Sequence, residues 1–263
     1  MGDVTIHPSG VVESPVVALT TGTPGPNAGQ TLVKGSRGTR STIALKILMA
    51  LSGLAFIGFV LGHMYGNLKA FSGQAAFNEY AEHLRELGEP MLPNSGLLWI
   101  IRVGLIVALV VHVVTALMLT QRAHAARTQK YAVKKNVASS ISSRTMRWGG
   151  VTILVFLAWH LLNFTIGKIN PATGDTGGAA GDPYSLLVDT FDLWWMTIIY
   201  LVAMVALGLH LHHGTWSSMQ TLGFTSTAAS RARAKAAGWI VAVVVAGGFS
   251  LVPLSVLLGI IEK

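Results

Sequence analysis

Hydrophobic residues run along this chain in five long blocks, at about residues 43–66, 96–120, 148–167, 193–213 and 238–261, with polar segments between them. Each block is close to the ~20 residues an α-helix needs to cross the hydrocarbon core of a bilayer. Helices are required there, because lipid offers no water to satisfy a lone backbone N–H or C=O. Gly53, Gly58, Gly104, Gly208 and Pro253 fall inside the blocks, where neighbouring helices accommodate them. Small residues such as Gly53, Ala55 and Gly58 let helices approach closely. The predicted fold class is all-α: an integral membrane bundle of five transmembrane helices over residues 43–263, behind an N-terminal tail over residues 1–42. In the fifth block Gly247-Gly248 is where a hairpin would break the helix; a full span is expected.

The polar segments add detail. After the first block, FNEYAEHLRELGEP places Phe77, Tyr80, Ala81, Leu84 and Leu87 on one helical face. That predicts a short amphipathic helix at the membrane surface, stopped by Gly88 and Pro90. After the third block, PATGDTGGAAGDPYS reads as irregular. Trp194, Trp195 and Tyr200 open the fourth block and predict an aromatic belt at the interface.

Composition agrees with the pattern. Charged residues are 11% of the chain, against roughly 25% in soluble domains, and mean hydropathy is +0.55. A net charge of +8 would point to nucleic acid in a soluble protein; here it follows membrane topology, and no nucleic-acid partner is expected. Cations gather in the tail (Lys34, Arg37, Arg40), after the second block (Arg122, Arg127, Lys130, Lys134, Lys135, Arg144, Arg147) and after the fourth (Arg231, Arg233, Lys235). Acids gather in the other two loops, as Glu79, Glu82, Glu86 and Glu89, and as Asp175, Asp182, Asp189 and Asp192. Strict alternation puts the N-terminus in the cytoplasm and the C-terminus outside, in a multi-pass protein of a bacterial-type inner membrane. The tail has the Gly, Pro, Ser and Thr content of a disordered segment, which packing on a partner subunit would order, and it lacks a secretory signal. With no cysteine, the chain cannot hold an iron–sulfur cluster through its own thiolates.

Histidine carries the chemistry. A histidine in a lipid-soluble helix is costly without a partner and marks a functional site. Of nine histidines, His7, His83 and His124 lie outside the blocks. His63, His112, His160 and a cluster of His210, His212 and His213 lie one set per block, and recur every 48 to 50 residues. At ~1.5 Å per residue, His63 and His160 fall roughly 13 and 4 Å outside the midplane, and His112 and His210 roughly 6 and 10 Å inside it. Side therefore pairs His63 with His160, and His112 with His210 or His213, which shares a helix face with His210. Two imidazoles from opposing helices suit the axial positions of a haem iron. Without a CxxCH sequence the haem would be noncovalent, b-type. An interhelical hydrogen bond explains any one such histidine; four matched in depth explain themselves less well that way. His213 would otherwise serve a quinone, a propionate or a backbone carbonyl.

LSGLAFIGFVLGHMYGNLKAF, the FNEYAEHL that follows, and HLHHGTWSSMQTLG resemble the five-helix, single-chain cytochrome b membrane anchor of succinate dehydrogenase and fumarate reductase. The HxxGNL and HLxHGxWS pieces carry the likeness, which covers about residues 43–261. It implies a respiratory-chain and tricarboxylic acid cycle complex, with a flavoprotein subunit carrying FAD and an iron–sulfur subunit docked in the cytoplasm. It implies electron transfer to a quinone, menaquinone by expectation, through two b haems on His63, His112, His160 and His210, with His213 the competitor for the fourth. Some members lack one or both haems. A small extra membrane subunit or a higher oligomer is compatible with the likeness.

Other candidates follow. Arg102 either snorkels at the outer interface or meets propionates of the outer haem. Glu82, His83 and Glu86 form either a solvated face or a proton relay to an outer quinone. Ser41, Lys46, Arg144 and Trp216 are candidates for a quinone site near the inner face. The alternatives are a di-haem anchor of a hydrogenase or formate dehydrogenase, and a haem-free anchor; a transporter ranks lower, since no inverted repeat with broken helices is evident.

Overall fold

The structure, a computed structural model, describes residues 41–126, 141–167, 169–172 and 181–263. The tail up to residue 40, and Arg127, Lys130, Lys134, Lys135 and Asp175 of the loops, lie outside the described residues. Among the described residues the chain is all-α, and five helices are long and apolar enough to cross a membrane. These are α1 (Thr42–Leu68), α3 (Gly96–Ala125), α4 (Ile141–His160, continued by a π turn Leu161–Ile166), α6 (Trp194–Thr221) and α7 (Ala228–Leu257). Two short helices, α2 (Gln74–Glu86) and α5 (Pro183–Asp192), precede α3 and α6.

The helices exceed their apolar blocks, most at the basic end, where α7 begins ten residues before Gly238. Hydropathy marks the thickness of lipid, whereas ASRARAKAA is rich in good helix formers and carries the helix beyond it. Thr227 starts α7 with a capping box: its hydroxyl accepts from Ser230 N at 3.0 Å, and Ser230 Oγ accepts from Thr227 N at 2.9 Å. α7 then passes Gly247-Gly248 and Pro253 unbroken, so the fifth block forms a single helix and no hairpin.

Named contacts fix an antiparallel arrangement. At the basic end Arg122 donates to Thr42 Oγ1 at 3.0 Å, Arg147 lies 2.8 Å from His124 Nε2, and Lys235 sits over the Trp216 ring at 5.6 Å. At the other end Tyr80 packs on Gly66, Tyr184 Oη donates to Glu262 O at 2.8 Å, and Lys263 pairs with Asp189 at 2.5 Å. Helices α6 and α7 touch most closely: a Cβ on Gly238 would stand 2.6 Å from the His212 carbonyl oxygen. Only a hydrogen fits there, as small residues permit close approach in membrane bundles. Gly248 receives the Met64 sulfur of α1 in the same manner. Outward, Trp99, Ile100, Val103, Ile106, Val110 and Val114 of α3 are exposed, an apolar surface that soluble monomers do not present.

α2 forms on the face predicted from Phe77 and Tyr80, and ends at Glu86 before Gly88. Two expectations need correction. The segment PATGDTGGAAGDPYS is not irregular throughout, because α5 starts within it: Asp182 is the N-cap, its carboxylate accepting from Ser185 N at 3.1 Å, and Pro183 occupies the first turn. Tyr200 is not part of an interfacial belt. It is 6% exposed, inside a cluster with Phe156, Phe164, Phe191, Met196 and Val252. Trp194 and Trp195 are the exposed aromatics of that segment.

Candidate functional site

The structure brings the intramembrane histidines together as two pairs. On α3 and α6, the rings of His112 and His210 have centroids 6.2 Å apart. On α1 and α4, those of His63 and His160 are 5.9 Å apart. Depth in the sequence pairs His63 with His160 and leaves His112 with His210 or His213; the ring facing His112 is that of His210.

Each ring has a specific setting. Gly53 of α1 faces His112, and a Cβ there would meet Cε1 at 3.4 Å; Gly150 of α4 faces His210 with the same atom at 3.6 Å. Ser52 Oγ lies 3.1 Å from His112 Nδ1, and its hydrogen is already directed at Leu48 O (2.8 Å) and Met49 O (3.1 Å). A hydroxyl whose proton is used faces His112 with lone pairs, so Nδ1 is the donor and Nε2 is left with its lone pair, the tautomer a metal ligand needs. At the other pair, Phe59 stacks on His63 at 5.4 Å, and Phe156 and Phe164 flank His160 at 5.9 and 5.4 Å. Asn67 Nδ2 donates to the His63 carbonyl at 2.8 Å and only marginally approaches its Nε2, at 3.5 Å. His160 Nδ1 lies 3.3 Å from Tyr200 Oη, and Asn163 Nδ2 donates to that oxygen at 3.4 Å.

The two pairs sit at different depths, and three helices measure the step. From Ser52 to His63 on α1 is eleven residues, ~16 Å at 1.5 Å per residue; from Gly150 to His160 on α4, and from Tyr200 to His210 on α6, is ten, ~15 Å. The centres are stacked along the bundle, not side by side.

The donor set can be tested against the group it would hold. Among the described residues no three His, Cys, Asp or Glu gather as ligands for a bare ion. Each pair offers two imidazoles, which is what a macrocycle with its own equatorial nitrogens leaves to be filled. Two metal–imidazole bonds of ~2 Å, plus about 1.2 Å from each ring nitrogen to its centroid, require centroids about 6.4 Å apart. The observed 5.9 and 6.2 Å fit that requirement. His63, His112, His160 and His210 are the residues that could hold b-type haem.

The remaining candidates are scattered. His213 has its ring 6.0 Å from Trp216 and belongs to neither pair. His212 stacks on Trp239 at 4.2 Å. Arg102 lies over Trp99 at 5.0 Å and is exposed on α3. Glu82 pairs with Arg85 at 2.6 Å, and Glu82, His83 and Glu86 are all exposed on α2. Ser41 caps α1 by accepting from Ile43 N at 3.2 Å, Lys46 and Arg144 are exposed, and Trp216 keeps a buried Nε1 without a partner among the described residues. A groove of about 260 Å³ lined by Thr145, Met146, Gly149 and Thr152 of α4 and by Val202, Val205, Ala206, Leu209 and His210 of α6 includes none of these last four.

Sequence reading passed over Ser52, Asn163 and Tyr200. A signal existed for Asn163: an amide in an apolar block is costly for the same reason as a histidine. Ser52 and Tyr200 are ordinary residues of apolar helices and become informative only once their neighbours are known. Comparison with protein-family models, with curated proteins and with solved structures finds no match to this chain.

Proposed function

We propose that this chain is the cytochrome b membrane anchor of a succinate:quinone oxidoreductase, lying in a bacterial inner membrane with its N-terminus in the cytoplasm. The observation that carries the reading is the pair of pairs: His63 with His160, and His112 with His210, with ring centroids 5.9 and 6.2 Å apart, close to what two imidazoles holding one iron would need. The HxxGNL and HLxHGxWS segments around His63 and His210 favour succinate dehydrogenase over another respiratory complex.

Bound between each pair, haem b would supply one-electron chemistry linking a cytoplasmic partner's iron–sulfur centre to a quinone, menaquinone by preference. The chain's own residues orient and insulate. Ser52 fixes the His112 tautomer, Gly53 and Gly150 leave room for the inner imidazoles, and Phe59, Phe156 and Phe164 exclude water from the outer ones. Basic side chains at one end, among them Arg122, Arg147, Arg231 and Lys235, face the side on which a flavoprotein with FAD and an iron–sulfur subunit would dock.

Purification of the chain with its natural partners tests the reading. A co-purifying flavoprotein and iron–sulfur subunit with succinate-dependent quinone reduction is expected. A chain that isolates alone, or with a hydrogenase or formate dehydrogenase, overturns it.

A further inference from the structure

The two histidine pairs differ in what holds their Nδ1 atoms. His112 has the Ser52 hydroxyl, whose proton is already used on α1 backbone. His210 Nδ1 is buried with no partner among the described residues. His160 has a phenol, Tyr200 Oη at 3.3 Å, itself tied to Asn163 at 3.4 Å. Tyr200 is 6% exposed and Asn163 is fully buried, so water does not complete their bonding from outside. Asn163 lies in the π turn that begins directly after His160, and such turns recur at functional sites.

The arrangement of protons follows from the role asked of His160, whose Nε2 must keep its lone pair to hold iron. With Asn163 Nδ2 donating to the phenol, Asn163 Oδ1 is left buried and unpartnered. A half-turn of the amide exchanges the two atoms. The Tyr200 hydroxyl then donates to Oδ1 and its oxygen accepts from His160 Nδ1–H, one direction from His160 to Tyr200 to Asn163, while Nδ2 takes the buried position that Oδ1 held. That direction leaves His160 Nε2 with its lone pair, toward the space shared with His63.

Resting on the haem reading above, we infer that Tyr200 is a positioning residue for the outer centre: it accepts from His160 Nδ1–H, selects the Nε2-ligating tautomer, and lowers the reduction potential of the haem between His63 and His160. An acceptor on the distal ring nitrogen raises the basicity of an imidazole ligand. A more basic ligand favours ferric over ferrous iron, and second-shell hydrogen bonds are a recognised lever on haem potential. The phenol thus separates the potentials of two centres whose axial ligands are identical. Tyr200 does not touch the iron and acts only through His160.

The test is a redox titration of the α band in the purified complex carrying Tyr200→Phe, which keeps the ring and removes the oxygen. One of two b-type components is expected to move upward by a three- to tenfold change in its ferric-to-ferrous equilibrium, tenfold being about 59 mV for one electron, while the other stays. Phe191→Leu, which loosens packing on the same ring at 4.9 Å without touching the oxygen, is expected to move neither. Unmoved potentials in Tyr200→Phe at wild-type haem content overturn the inference alone. A wild-type complex without b-type haem overturns the haem reading itself. Should Tyr200→Phe fail to assemble, Asn163→Ala carries the test: a smaller upward shift of one component supports the inference, and two unchanged components overturn it.

Discussion

The His63 and His160 rings, from α1 and α4, stand 5.9 Å apart and at 75° to each other, enclosed by aromatic side chains. One step down the bundle, His112 and His210 repeat the relationship at 6.2 Å. Two imidazoles joined by a hydrogen bond of about 3 Å between nitrogens would have centroids about 5.4 Å apart, closer than either pair. The spacing suits a shared ligand, and most predictions follow from it.

Ligand identity separates neighbours on one helix. His210→Ala should halve the b-type haem per chain, because its ring faces His112. His213→Ala, whose ring rests on Trp216, should leave haem content unchanged. Pyridine haemochrome assay of the two purified complexes distinguishes them, and loss of haem in His213→Ala alone would reverse the assignment.

His160→Ala and His112→Ala should each remove a different haem. Low-temperature difference spectra of the two variants are expected to keep complementary α-band components, since the centres sit ~15 Å apart along the helices and do not share a ligand. Identical residual spectra would refute the stacked arrangement.

Close helix contacts give a stability prediction. Gly238→Ala drives a methyl into the His212 carbonyl, a backbone atom that cannot move aside, and should cost about 1–3 kcal/mol. Gly248→Ala meets Sδ and Cγ of Met64, a flexible side chain that can turn aside where a carbonyl cannot, and should cost less, and Gly58→Ala, with no atom within 4 Å, should be neutral. Thermal unfolding in detergent gives the order; equal melting of Gly238→Ala and Gly58→Ala would contradict the α6–α7 contact.

Asp182 links α2 to α5 and predicts a pH dependence at that end of the bundle. Its carboxylate accepts from Gln74 Nε2 (2.6 Å), Asn78 Nδ2 (2.8 Å), and Ser185 N (3.1 Å) and Oγ (2.7 Å). Desolvation raises its pKa, but the bonds from Ser185, Asn78 and Gln74 together outweigh it and hold the carboxyl at about 2. A carboxylate depressed below its unfolded value of ~3.9 adds stability that is complete above that value and fades as pH falls toward 2. Hydrogen exchange in α2 should therefore be insensitive to this group at neutral pH. Asp182→Asn should speed exchange in α2 at pH 7, and an unchanged rate would show that the link does not hold α2.

Much of this architecture is legible in the sequence because membrane physics is simple. Block length and helical depth are enough to find five spans, to pair His63 with His160 and to narrow the partner of His112 to His210 or His213; the ring contact selects His210. Helix ends are less legible: α6 and α7 continue past the apolar blocks through residues that lipid does not select. The α5 start was encoded as Asp182-Pro183, a cap followed by proline, and the glycines before it masked the signal. Tyr200 was misplaced because an aromatic near the start of a span fits a belt and a core equally; its burial depends on α5 folding over it, a tertiary fact.

The central claim rests on four histidines, and one ratio tests it most directly: non-covalent haem b per chain in the complex purified with its natural partners. Two per chain is the expected value. A fully assembled, active complex with none would contradict the account.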